Sequence, residues 1–503
     1  MTGRRDVLRA GAALIAFGAA PAVADEDAAA DLRRLVERLA DRSRVTRPFI
    51  LRRFDATRLS AQERVLYETL LPGADADAAL AQRAWGRSGA PYPVTPRSGA
   101  WRRAIEFRPG DRLRNAVRAV NADTNQIDAY ARRGVVPPDF LIDATVAALQ
   151  RAARQVAERN VADGDTLIAA ITRQAEALRQ QRATADIEAG MWRLPEGEEF
   201  YAQTLQFQLG APVDATYAHE QALARCRELR SEANRLLRAQ GLTQGSVAER
   251  LRAFARDERF AIRDKQAAVA TMNAQLERVR ALLPPMLDAT ATGGVQLLDA
   301  AASDHGTRGQ RVGANYMADL EATRPTWSLP SVAHHEHTPG HILQAQFGRN
   351  APALQHRYSG GYGEGWATYA ETLADELGAF EGNAPARIGY LQWMLFRFGR
   401  IVGDTGMHAM RWSRERTIAE MYELQGDSMS FVSIEEDVTR FAAQPGAYAS
   451  QGLAALQLLD LRDRTRRAAR DRFNLKDFHD AALRSGPLSP PGLEQAMRAK
   501  FAL

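Results

Sequence analysis

Four of the chain's nine histidines fall within His334-His335-Glu336-His337-Thr338-Pro339-Gly340-His341, with a carboxylate among them. Imidazole and carboxylate are donors that a borderline-soft ion such as zinc takes, so the chemistry suggested is metal binding with an acid–base group beside the ion. The plain alternative is a polar loop holding a chance histidine cluster. Two registers are open. His337 and His341 have the i, i+4 spacing that points both rings the same way from a helix, but Thr338 stands where a His-Glu-x-x-His site has its glutamate. His335 and His341 place Glu336 directly after the first ligand, yet six helical residues would turn the two rings about 240° apart. The helix must break between them, and Pro339-Gly340 suits a break. Proline removes the backbone bond to His335, and glycine accepts unusual dihedrals. The spacing favours His335 and His341 as ligands, with His337 as the alternative metal ligand.

A catalytic zinc commonly keeps three protein ligands and one open position, so a third donor is expected downstream. The stretch 360–371 runs from glycines into a helix carrying Glu364 and Glu371, which share a face but lie about 10 Å apart along the axis. Both are not expected on one ion. Glu364 is the expected ligand, and Glu371 the carboxylate that orients a ligand histidine. Asp404 and His408 stand one turn apart, so Asp404 is expected to accept from His408 and fix its tautomer. His408 would then stabilise an oxyanion or replace a ligand; a buried, satisfied pair is the alternative. Arg440, Tyr448 and His479 are candidates for gripping substrate or a tetrahedral intermediate. Cys226 is the only cysteine, so no intramolecular disulfide is possible, and a small buried residue is its expected role.

The elements that must position these groups read as helices. Asp25 to Arg44 carries Leu32, Leu35, Val36 and Leu39 at helical spacing. Further helical patterns cover 138–160, 166–182, 215–240 and 247–282, rich in Ala, Leu, Arg, Glu and Gln. The segment 47–99, broken by five prolines, reads as short helices and loops, and 296–302 is at most a weak strand. The class is mainly α. At 503 residues two or three domains are possible. With no linker in the sequence, the expected division is a soft one: 25–285 as an N-terminal helical part and 286–503 as the part bearing the metal site, sharing one core. The net charge is +5, but acidic residues are interleaved with the arginines throughout, so no nucleic-acid partner is expected. Residues 1–24 read as a twin-arginine signal: Arg4-Arg5, an apolar run from Ala10 to Ala20, and the small-residue pattern Ala22-Val23-Ala24. That run is too short to span a membrane and no cysteine follows it, so a periplasmic or secreted protein without a stable membrane anchor is expected.

Taken together, the motifs resemble the bacterial family called domain of unknown function 885, with its His-Glu-x-x-Pro-Gly-His-x-x-Gln signature. Here it reads from His335 to Gln344. The likeness continues through Gly363-Glu364-Gly365-Trp366-Ala367 with Tyr369 and Glu371, Asp404 to His408 with Trp412, and Phe478-His479-Asp480. It also takes in Leu194-Pro195 with Gly197, Phe200 and Tyr201. The chain departs from the family near its C-terminal site, where Arg440-Phe441 replaces Arg-Tyr, Pro445-Gly446-Ala447-Tyr448 replaces Pro-Gly-Gln-Ala, and Gln451 stands at the later tyrosine. The resemblance implies a zinc metallopeptidase with a large helical fold around a central cleft, similar to the neurolysin and angiotensin-converting-enzyme group. It implies one zinc on His335, His341 and Glu364, with Glu336 as general base and His408, Tyr448 or Arg440 assisting the oxyanion. The expected partner is a peptide or small amide substrate. The rival readings are a non-catalytic periplasmic metal- or peptide-binding protein, and an amide hydrolase of a small non-peptide substrate.

Overall fold

Helices form where good helix formers follow a capping side chain. Asp214 accepts from the Thr216 and Tyr217 N–H groups and starts Ala215–Ala239. Asn383 accepts from Ala386 N–H and starts Ala384–His408, with Pro385 in the first turn. The computed structural model describes residues 26–503 except 88, 108–112, 160–161, 300–308, 321–324 and 428–431, and these are mainly helical. The signal-like segment 1–24 lies outside the described residues. Among them, no helix is long and apolar enough to cross a membrane.

The patterns at 138–160, 166–182 and 215–240 are the helices Asp139–Arg159, Gly164–Arg182 and Ala215–Ala239. Two expectations need correction. The single helix expected over 247–282 is divided into Val247–Ala255 and Lys265–Leu282, with a 3-10 turn at Glu258–Phe260. Asp257 and Asp264 each accept from the N–H groups just after them, so each begins a new element. The proline-broken segment 47–99 contains the 19-residue helix Arg64–Gln82 with Pro72 inside it. Pro72 removes the bond to the Glu68 carbonyl, which Ser489 Oγ approaches at 3.5 Å instead.

One hydrophobic cluster runs from Ala28 to Phe501 and crosses residue 285, while a second gathers Val94, Trp101, Val120, Leu149, Leu167 and Leu178 with their neighbours. Ala384–His408 is buried without interruption from Ile388 to His408 and packs on Ala215–Ala239 and Ala447–Ala469. Each large apolar side chain it buries, Phe396 and Phe398 among them, contributes about 1.5–3 kcal/mol. Tyr362–Glu376 lies so close to Ala447–Ala469 that a Cβ on Gly365 would stand 2.4 Å from Ala454 Cβ. A small sheet completes the frame: β1 (Val295–Leu297), β2 (Gly309–Val312) and β3 (Asn315–Ala318), in the order β1-β3-β2. β1 runs parallel to β3, and β2 antiparallel to it across the Gly313-Ala314 turn, so β2 is an edge.

Candidate metal centre

His335 and Glu336 end the helix Leu329–Glu336, and His341 opens the helix His341–Gly348. Between them the chain turns. His337 N–H closes the last helical bond on Ala333 O at 3.0 Å, and its backbone then leaves the helix at φ −115°, ψ −95°. Gly340 N–H returns to His334 O at 3.0 Å, and Leu343 N–H to His337 O at 3.2 Å. A Cβ on Gly340 would lie 1.9 Å from His335 O, so the turn closes only around glycine. Trp366 Nε1 donates to Pro339 O at 2.9 Å and fastens the turn to Tyr362–Glu376.

This turn brings the His335 and His341 rings to 4.7 Å between centroids, at 86° to each other. His335 Nε2 lies 3.4 Å from Glu364 Oε2, and His341 Nε2 lies 3.4 Å from Glu364 Oε1. Among the described residues these three are the one group of such donors, with ligand atoms all within 4.8 Å of one another. His335 Nε2, His341 Nε2 and Glu364 Oε2 are buried and have no hydrogen-bond partner. A buried polar atom left unsatisfied costs about 1–3 kcal/mol, so three that face one another need something between them. Zinc fits. Two imidazole nitrogens and a carboxylate oxygen are its usual donors, and one such atom from each residue lies within 4.8 Å of the other two. Three donors also leave the fourth position open.

The other face of the His335 ring meets Glu371, with Nδ1 2.9 Å from Oε1 but off the line of a good hydrogen bond. The ring thus spans the gap between Glu364 and Glu371, which their seven-residue separation leaves on one helix face. Glu371 also accepts from Ser331 Oγ at 2.5 Å and from Arg397 Nε at 3.0 Å, while Arg397 Nη1 lies 3.7 Å from Glu364 Oε2. Burial alone would raise the Glu371 pKa, but Arg397, His335 and Ser331 hold it below its ordinary value. Against the same burial, His341 and His335 hold Glu364 well below the carboxylate range. Burial likewise opposes the charge on Glu336, and His335, His341 and Arg311 overcome it. Arg311 Nη1 stands 2.6 Å from Glu336 Oε2.

His337 is not at the centre. Its Nδ1 meets Thr338 Oγ1 at 2.9 Å and its Nε2 meets Ala314 O at 3.1 Å, so it ties the β2–β3 turn to the histidine turn. The chain turns away from the helix at His337 itself, which leaves that ring outside the converging group. His334 is buried against Phe380, and burial pushes its pKa down to about 4.

The distal candidates also require correction. His408 accepts from Met191 N–H on Nδ1 at 3.2 Å and meets Phe441 O with Nε2 at 3.1 Å. Both nitrogens are used, and burial pushes the pKa to about 3, so the ring is a neutral brace with no free lone pair for an ion. Asp404 does not bond His408. It accepts from Tyr201 OH at 2.7 Å and from Gly446 N–H at 3.0 Å, because those groups reach the carboxylate from neighbouring elements. Arg440 pairs with Glu436 at 2.5 Å and Asp437 at 3.5 Å rather than with an oxyanion site. Tyr448 OH lies 3.4 Å from Gln444 Oε1, and its ring packs 5.0 Å from the Arg400 guanidinium. His479 is held between Tyr369 OH at 2.7 Å and Met286 O at 2.5 Å. None of these five side chains bonds to the His335, His341 and Glu364 trio.

Sequence reasoning missed Arg397, Ser331 and Arg311. Arg397 had a signal: it stands between the apolar run Trp393-Met394-Leu395-Phe396 and Phe398, and a charge inside a buried apolar helix must be paired. Ser331 precedes His335 by four residues and so shares its helix face. Arg311 had none, because strand pairing alone brings it to Glu336.

The chain matches the family described as "Bacterial protein of unknown function (DUF885)" over residues 19–497, and it belongs to that family. Its fold is similar to that of a chain from Colwellia psychrerythraea described as a candidate lipoprotein. The identity there is 22%, the TM-score is 0.74, and the match covers 94% of this chain and 90% of that one. It is also similar to a candidate lipoprotein of unknown function from Shewanella oneidensis, at 19% identity and a TM-score of 0.66, covering 94% and 98%. At these identities the likeness is one of fold. No curated protein matches the sequence.

Proposed function

We propose that this member of the DUF885 family is an exported zinc-dependent hydrolase that cleaves peptide or other amide bonds, with Glu336 as general base. The observation that carries the reading is the convergence of three buried, unpartnered donor atoms, on His335, His341 and Glu364, beside the buried carboxylate of Glu336. A zinc ion bound there supplies a Lewis acid that polarises a carbonyl oxygen and acidifies a water molecule. Glu336 takes the water's proton at its carboxylate and returns it to the leaving amine nitrogen. Glu371, held by Ser331 and Arg397, keeps the His335 ring in the orientation that presents Nε2. Arg397 offsets part of the negative charge that Glu364 and Glu371 bring together. A cavity of about 380 Å³ lined by Gln344, Arg349, His356, Gly360 and Gly363 adjoins the start of the helix Tyr362–Glu376 that carries Glu364. The same reading includes a cleft-containing fold of the neurolysin and angiotensin-converting-enzyme kind and export by the twin-arginine route.

A peptide library incubated with the zinc-loaded protein tests this. Cleavage is expected, is lost on chelation, and falls by about 10²–10⁴-fold in Glu336→Gln while the metal stays bound. A fully active Glu336→Gln protein contradicts the mechanism, and bound peptide without turnover favours a binding protein.

A further inference from the structure

The base of the proposed reaction is capped. Among the described residues Arg311 is the one cation in ion-pair contact with Glu336, at 2.6 Å. The two partners sit in different surroundings: the Glu336 side chain is 6% exposed and the Arg311 side chain 45%. One is fixed in the interior, and the other has an open side. The β2–β3 hairpin does not depend on the pair to hold its place. His337 Nε2 grips Ala314 O at the turn, and the ladder from Gly309↔Ala318 to Val312↔Asn315 pairs the strands. Arg311 can therefore change partners without unseating its strand. The remaining charges that act on Glu336 are those of His335, His341 and Glu364, all in the donor trio and none free to respond to a ligand. The third carboxylate, Glu371, already has Arg397.

A carboxylate oxygen held 2.6 Å from a guanidinium is a weaker proton acceptor, because the cation stabilises its charge. Glu336 Oε2 regains its full acceptor strength when Arg311 is drawn elsewhere. A second carboxylate is the group best able to draw it, since guanidinium binds carboxylate in a two-pronged fashion and the exchange swaps one ion pair for another. We infer that Arg311 is a receptor for a carboxylate on the substrate, paired with Glu336 in the free protein and surrendered to the ligand on binding. The substrate class is then a peptide or amide with a free carboxylate close to the scissile bond. This rests on the hydrolase reading for where the ligand lies, but its test does not need turnover.

Calorimetric binding of N-acetyl-trialanine and of its C-terminal amide to the zinc-loaded full chain gives that test, with circular dichroism and zinc content checking each variant. The wild-type protein binds the carboxylate form about tenfold more tightly than the amide. Arg311→Gln removes this preference. Glu336→Gln leaves Arg311 free and tightens carboxylate binding several-fold, and the gain collapses in the double variant. The inference is overturned if Arg311→Gln keeps the preference, if the double variant keeps the gain, or if neither peptide binds at millimolar concentration. Should the preference follow Arg311 while no peptide is ever cleaved, the hydrolase reading fails and the receptor stands. Turnover that needs Glu336 in a protein whose preference ignores Arg311 defeats the receptor alone.

Discussion

Among the described residues, two buried clusters that pair imidazole with carboxylate are built oppositely. In the first, His335, His341 and Glu364 turn three polar atoms toward one another and leave them without partners. In the second, Asp404 and His408 have every interior contact filled: Tyr201 and Gly446 occupy the aspartate, and Met191 and Phe441 occupy both histidine nitrogens. The residue types are the same and the burial is similar, so neither distinguishes a site from a brace. What distinguishes them is satisfaction. A saturated cluster stabilises the fold, whereas buried donors that converge without partners carry a cost that a bound ligand offsets.

Three changes sharpen or break this contrast. The largest effect is expected from Glu364→Ala, which strips one donor and abolishes both metal retention and turnover; full zinc occupancy in that variant, read by elemental analysis, would erase the contrast. Glu371→Gln leaves all three donors but loosens the hold on His335, so metal affinity is expected to fall about 10–100-fold in a competition titration against a chelator. Asp404→Asn tests the saturated cluster. Burial pushes the Asp404 pKa up to about 7, with Tyr201 and Gly446 opposing it. The folded state therefore holds a proton that the unfolded chain releases near pH 4. The stability this proton supplies is complete below about pH 4 and is lost as pH rises through about 7. Relative to Asp404→Asn, the wild-type protein should lose at most about 4 kcal/mol across that window, seen in denaturant melts, with the two proteins holding equal zinc at each pH.

Much of the first cluster was legible in the sequence because its constraints are local. Pro339-Gly340 announces a break, and that break is what lets His335 and His341 converge with Glu364. His337 lies outside that group for the same local reason. Glu364 and Glu371 could be ranked because seven helical residues fix their separation. The second cluster was misread because i, i+4 spacing tells only which residues share a face. It does not tell what packs on that face, and Tyr201 and Gly446 come from elsewhere in the chain. Arg311 illustrates the same limit at the site itself, since it meets Glu336 through a hairpin that the sequence barely marks. Among the elements, runs of helix formers read true at Ala215–Ala239. At 247–282 the capping aspartates Asp257 and Asp264 overrode the run, and at Pro72 packing overrode the proline.

The central claim is that the chain turns at His337 so that His335, and not His337, meets the ion with His341 and Glu364. Zinc per chain, measured on purified full-length protein and its two histidine variants, tests it most directly. One zinc in the wild-type protein, none in His335→Ala and one in His337→Ala is the result predicted. Zinc retained in His335→Ala and lost in His337→Ala would contradict it.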